Sequence, residues 1–123
     1  MPVAHSADNL TFELGGNMIT GLMSPSRGST ENILYRIDMP PRGKLPPHRH
    51  DHEDLFTLLE GAATAHVEPE VVPIVAGDSV VVPIGALHWV EAGPTGCVML
   101  VAMLAGTLFI REDGTENVPP WGL

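Results

Sequence analysis

The stretch Gly43-Lys44-Leu45-Pro46-Pro47-His48-Arg49-His50-Asp51-His52-Glu53-Asp54 sets three histidines and three carboxylates directly behind a proline pair. Prolines cannot lie inside a central strand, so a new element begins after Pro47. In an extended strand successive side chains face opposite sides. His48 and His50 therefore point the same way, about 7 Å apart along the backbone. Two imidazoles so placed can share one divalent cation, with Asp or Glu neutralising its charge. An isolated pair of this kind is more often a solvated polar turn, so its surroundings matter.

Outward from this stretch, short β-branched and aliphatic runs alternate with Gly and Pro, and no segment carries a helix-length 3.6-residue period. The runs predict strands over Ile33–Met39, Leu55–Leu59, Ala62–Val67, Val71–Val75, Ser79–Val82, His88–Glu91 and Val98–Leu104, with a further one at Thr107–Arg111. Pro40-Pro41-Arg42-Gly43, Glu60-Gly61, Ala76-Gly77-Asp78, Pro83-Ile84-Gly85 and Gly93-Pro94-Thr95-Gly96 carry turn chemistry. Many short strands between such turns indicate an all-β sandwich or barrel. Residues 1–30 look looser, and neither a linker nor a second domain is visible, so residues 1–123 are expected to form one domain.

The histidine pair belongs to a longer pattern. Gly43, four residues, His48-Arg49-His50, three residues, Asp54, six residues and Gly61 come first. Fifteen residues later come Gly77, five residues, Pro83-Ile84-Gly85, two residues and His88. These two linked motifs, over about 43–61 and 77–92, resemble those of the cupin superfamily, in particular its small single-domain, quercetinase-like members. The resemblance implies a double-stranded β-helix, a jelly-roll-like barrel. It also implies that His48, His50, His88 and Asp54 converge inside that barrel on one divalent transition ion: Fe, Mn, Ni, Zn, Co or Cu. Three positions depart from the family pattern. Asp54 stands where Glu is usual, Ala92 where Asn is usual, and one residue fewer separates Gly43 from His48.

Strand parity is consistent with this set, since positions 48, 50 and 54 share a face if no bulge intervenes. His52 has the same parity and Glu53 could turn inward at a bulge, so both compete with Asp54 as the fourth ligand. Phe56 and Leu58 share the parity of Asp54, and Val90 and Ala92 that of His88. These positions predict an apolar pocket wall, with Trp89 facing outward. On the preceding strand either Tyr35 or Arg36 must face inward, as a hydrogen-bond donor or acid in one case and a carboxylate anchor in the other. His5 and His66 are expected to be surface histidines, and Cys97 an inert core thiol.

Composition narrows the function further. Six Lys+Arg against fifteen Asp+Glu give a net charge of −9, which disfavours nucleic acid and anionic lipid as partners. No membrane span or secretory signal is visible and the single cysteine cannot pair internally, so a cytoplasmic location is expected. The expected function is that of a metal-dependent enzyme acting on a small aromatic or polyketide-like oxyanion, of dioxygenase type. A non-oxidative lyase, isomerase or cyclase and a non-catalytic ligand-binding cupin are the alternatives. The family resemblance also implies a homodimer, formed by exchange of an edge strand from residues 1–30.

Overall fold

In the computed structural model, which describes residues 1–123, ten strands form one curled antiparallel sheet. They are β1 (Thr11–Leu14), β2 (Asn17–Met23), β3 (Asn32–Met39), β4 (His48–His50), β5 (Asp54–Val67), β6 (Glu70–Val75), β7 (Ser79–Val82), β8 (His88–Leu104), β9 (Phe109–Arg111) and β10 (Glu116–Asn117). The only helical pieces are three 3₁₀ turns, at Ser6–Asp8, Pro25–Arg27 and Pro120–Gly122. No helix is long and apolar enough to cross a membrane.

Two long strands make the sheet curl. The second half of β8 pairs with β3 (Ile33↔Met103, Met39↔Cys97) and with the first half of β5 (Asp54↔Met103, Leu58↔Met99). Its first half pairs with the second half of β5 (Ala63↔Ala92, Val67↔His88) and touches β4 at His48↔His88. The β5–β8 register shifts twice, between Leu58 and Glu60 and again between Gly61 and Ala63. Such bulges bend a strand and increase its twist. Glycine is required where the bends cross. Gly61 has φ 79° and Gly96 φ 81°; a Cβ on Gly61 would collide with the Gly96 carbonyl, and one on Gly96 with the Met39 carbonyl. The glycine that closes the first sequence motif thus serves a barrel corner.

Alternation then places the core. Along β3 the pattern buries Ile33, Tyr35, Ile37 and Met39 and leaves their neighbours more exposed. Opposite them lie Phe56, Leu58, Val90, Met99, Val101 and Met103, of which Leu58 is fully buried. Burying side chains of this size is worth about 1.5–3 kcal/mol each relative to exposure.

The structure changes two expectations about the chain path and decides a point left open on β3. Leu55–Leu59 and Ala62–Val67 are one strand, as are His88–Glu91 and Val98–Leu104, because the intervening glycines bend the backbone without ending its pairing. The loose stretch 1–30 contains β1 and β2, a hairpin over Gly15-Gly16 whose second strand pairs with β3 of the same chain. Arg36 faces outward, bonded to Asp38 at 2.9 and 3.0 Å, whereas Tyr35 is buried. Tyr35 shares the parity of Ile33 and Ile37, and that apolar row determines which side of β3 turns inward.

Candidate metal centre

Strand β4 is only three residues long, yet it is held on both sides. His48 pairs with His88 on β8 and with Arg111 on β9, and His50 pairs with Phe109. Residues facing each other across neighbouring strands have close side chains, so His48 and His88 meet with ring centroids 4.2 Å apart. Phe109 stacks on His48 at 4.0 Å and lies edge-on to His50 at 5.9 Å, which fixes both ring planes. All three histidines are buried, and one ligand atom from each lies within 4.8 Å of the other two.

The outer nitrogen of every ring is already engaged. Nδ1–H of His48 donates to the Pro46 carbonyl at 2.7 Å, that of His50 to Leu108 at 2.8 Å, and that of His88 to Ala86 at 2.9 Å. With Nδ1 carrying the proton of a neutral ring, Nε2 is the atom left to bind a cation. The Nε2 atoms converge: those of His48 and His50 are 3.1 Å apart. Asp54, at the start of β5, adds Oδ2 at 3.3 Å from His50 Nε2 and 3.5 Å from His88 Nε2. Its other oxygen, Oδ1, is buried with no hydrogen-bond partner.

Charge at the site follows from burial. Desolvation, reinforced by His88 and His50, pushes His48 down to about 3, so it is neutral at pH 7. Burial alone pushes the Asp54 carboxyl up, but the rings of His50 and His88 outweigh it and hold the group at about 2. Three ring nitrogens and a carboxylate oxygen therefore face one point. Two ligands each about 2.0–2.2 Å from a single Zn²⁺-like ion lie about 3–3.5 Å apart, the spacing these atoms have. The donor set fits a divalent transition ion, with backbone carbonyls orienting each imidazole from behind.

A cupin domain model (Cupin_2) matches residues 35–103, more than half of the chain. The chain is a cupin. Several solved structures share its fold. The polyketide cyclase RemF from Streptomyces resistomycificus is 23% identical with a TM-score of 0.75, over 87% of this chain and 81% of that one. An RmlC-like cupin from Shewanella frigidimarina is 21% identical with a TM-score of 0.73, over 90% and 93%. A predicted oxalate decarboxylase from Thermotoga maritima is 23% identical with a TM-score of 0.69, over 83% and 97%. No curated protein matches the sequence.

The other residues singled out in this cupin's sequence divide clearly. His52 is half-exposed, with Nδ1 3.1 Å from Asp51, and Glu53 is exposed; both border a surface groove with Leu55 and Ile84. The cause is local: β4 ends at His50, and Asp51 accepts the Leu108 N–H at 2.8 Å, so strand parity does not carry across the bend. Tyr35, Phe56 and Val90 line a narrow cavity with His48, Asp54 and His88, while Leu58 lies in the core beside it. Arg36, on the outer face, has no part in that cavity. Cys97 is buried, its thiol pushed up to about 11 by burial and by Asp38, which leaves it unreactive.

Phe109 and Trp121 also line the cavity, beyond the residues expected there, and Trp89, expected to face outward, borders it as well. Parity within Thr107–Arg111 would have offered Phe109 as an inward side chain. No local pattern points to Trp121, which reaches the cavity only because the turn Pro120–Gly122 folds against β2 and β3.

Proposed function

We propose that this cupin is a metal-dependent enzyme acting on a small, largely apolar organic oxyanion of aromatic or polyketide-like type. The observation that carries this reading is the convergence of three histidine Nε2 atoms and a carboxylate oxygen on one buried point. Burying so many polar groups at one point costs free energy that a bound cation would offset. A divalent transition ion held there supplies Lewis acidity toward a carbonyl, enolate or phenolate oxygen, and redox chemistry with O₂ if the ion is redox-active.

The protein's own groups have separate tasks. His48, His50 and His88 hold the ion and, being neutral, leave it positively charged. Asp54, ionised, would add a carboxylate oxygen beside them and offset part of the ion's charge. Tyr35 stays protonated, since burial and the Asp54 charge push its phenol far up, so it acts as a donor. Phe56, Val90, Met99 and Phe109 exclude water and contact carbon.

Dioxygenase-type chemistry and a non-oxidative cyclisation or lyase reaction both start from an oxyanion held at such a centre. The likeness to a polyketide cyclase favours the second, and the sequence motifs the first. Elemental analysis of the purified protein, followed by O₂ uptake and product analysis with phenols and 1,3-diketones, tests both. Stoichiometric metal with substrate loss supports the proposal, and O₂ consumption then selects the oxidative branch. Protein that binds no added divalent metal would overturn it.

A further inference from the structure

The cavity beside the metal ligands is only about 30 Å³, room for one or two waters. A molecule with a carbon skeleton reaches the ligands only if part of the wall moves. Strands supply all of that wall except Leu45 and Trp121. Leu45 is fixed to β8, its N–H donating to the Val90 carbonyl at 3.0 Å beside the bridge between Lys44 and Glu91. Trp121 is held more lightly. It sits in the 3₁₀ turn Pro120–Gly122, whose own hydrogen bonds run from Gly122 to Pro119 and from Leu123 to Pro120. One backbone bond joins this turn to the body of the chain, from the Ser26 N–H to the Leu123 carbonyl at 3.0 Å. The indole leans on Phe12 and Tyr35, at ring separations of 6.0 and 5.9 Å, and its N–H meets the Tyr35 hydroxyl. On its other side lies a surface groove of about 330 Å³, bordered by Phe12, Ser24, Arg27 and Pro120.

We propose that the turn Pro120–Gly122 is a lid: Trp121 is the partition between the cavity and the surface groove, and its outward swing joins the two into one route to the metal ligands. The inference rests on the reading of the cavity as a working site, and it concerns how that site is reached, not what it takes. Backbone connectivity favours this wall over the others. Moving β3, β5 or β8 breaks ladder hydrogen bonds across the curl, whereas releasing the turn breaks the Ser26–Leu123 bond and the contacts of one indole. Segments with few such ties open at a lower free-energy cost than the whole fold. The chain before the turn suits a hinge, because β10 ends at Asn117 and Val118-Pro119-Pro120 has no strand partner. A swing there leaves the sheet intact. Gly21 makes room for the closed turn: the Trp121 carbonyl lies 3.4 Å from where a Cβ on Gly21 would stand.

The test follows access to the ligands in the metal-free 123-residue chain. Diethyl pyrocarbonate, a reagent much larger than water, acylates imidazole nitrogen, and mass spectrometry reads each histidine separately. Half-exposed His52 reports the activity of the reagent, and the buried thiol of Cys97, followed with iodoacetamide, reports global unfolding. In the wild type a lid lets His48 and His88 react at a rate that low urea leaves within about twofold, while the Cys97 rate climbs with urea. Parallel urea dependence of all three means that the ligands are reached only by global unfolding, and overturns the proposal. Trp121→Ala removes the partition and is expected to speed modification of His48 and His88 about tenfold, with His52 and Cys97 unchanged. Gly21→Val puts side-chain atoms against the Trp121 carbonyl, wedges the turn outward without touching the cavity wall, and should act in the same direction. It serves as the second variant should Trp121→Ala fold poorly. Histidine rates equal to the wild type in both variants overturn the lid. No metal takes part in these measurements, so a failed lid leaves the metal reading standing, and a protein that binds no metal leaves the lid standing.

Discussion

Two histidines in this cupin stack face to face on an aromatic ring, and they lie on opposite sides of the same sheet. Inside, His48 stacks on Phe109 at 4.0 Å and an interplanar angle of 11°. Outside, His66 on β5 stacks on Trp89 of β8 at 4.5 Å and 10°. The local geometry is nearly the same and the chemistry is not. His48 has its Nδ1 fixed by a backbone carbonyl and its Nε2 grouped with those of two further histidines, which in turn meet a carboxylate. His66 has a single carboxylate neighbour, Glu91, at 3.6 Å, with Lys44 lying 5.5 Å over the Trp89 ring. Stacking is a packing device available on either face. A metal site needs several lone pairs directed at one point, and only the inner face of the curl brings three strands close enough.

The strongest way to break this contrast is to remove two inner imidazoles. The double variant His48→Ala/His88→Ala is expected to lose metal affinity by a factor on the order of a thousand, since each ligand carries a large share of the binding free energy. Competition titration with a chromophoric chelator reads this directly. Affinity equal to the wild type would place the metal elsewhere.

Acidification should separate the two faces in chelator-treated protein. His48 titrates at about 3 when folded and near its ordinary 6.5 when unfolded. Below pH 6.5 the unfolded chain binds a proton that the folded chain refuses, so stability falls as pH drops. Between pH 7 and 5 the loss amounts to about 2 kcal/mol. Asp54, held at about 2 against an ordinary 3.8, gives stability that is present above pH 3.8 and lost only as pH falls toward 2, outside this window. Urea unfolding at the two pH values measures the difference. His48→Leu should flatten it, and a slope unchanged in that variant would assign it to other groups.

Asp54→Asn keeps the shape of the side chain and removes its charge. Metal affinity is expected to drop about tenfold, comparable to loss of a supporting group at a metal site. No change would restrict the ligands to the three imidazoles.

The smallest effect is expected outside. His66→Ala removes the stacking on Trp89 and should cost about 1 kcal/mol of stability while metal affinity stays within about twofold. Thermal unfolding with and without added metal compares the two quantities. A matching fall in metal affinity would mean that the outer pair positions β8 and, through it, His88.

Much of the barrel was legible because its signals are local. Alternation identifies β3 and β4, and the turn residues Gly77 and Pro83-Ile84-Gly85 bracket β7. The spacing from His48 to Gly61 foreshadows a strand that must reach a corner. Other features were not legible, for physical reasons. Gly61 and Gly96 have the composition of turns, yet they are bends inside continuous strands, because backbone pairing across the corner outweighs their local preference. The face of Tyr35 against Arg36 depends on which side of β3 finds an apolar partner, and β8 supplies it from more than sixty residues downstream.

The sequence by itself determined that the chain is β-rich, that His48 and His50 share a face, and that His88 follows a matched second motif. These are properties of backbone period and spacing within a few residues. Only the tertiary structure decided that Asp54 approaches the histidines while His52 and Glu53 stay outside, and that Phe109 and Trp121 close the cavity. A strand's parity holds only while the strand continues, and it ends at His50. Beyond that point, the direction of a side chain depends on hydrogen bonds such as that from Leu108 to Asp51, made across fifty-seven residues of sequence.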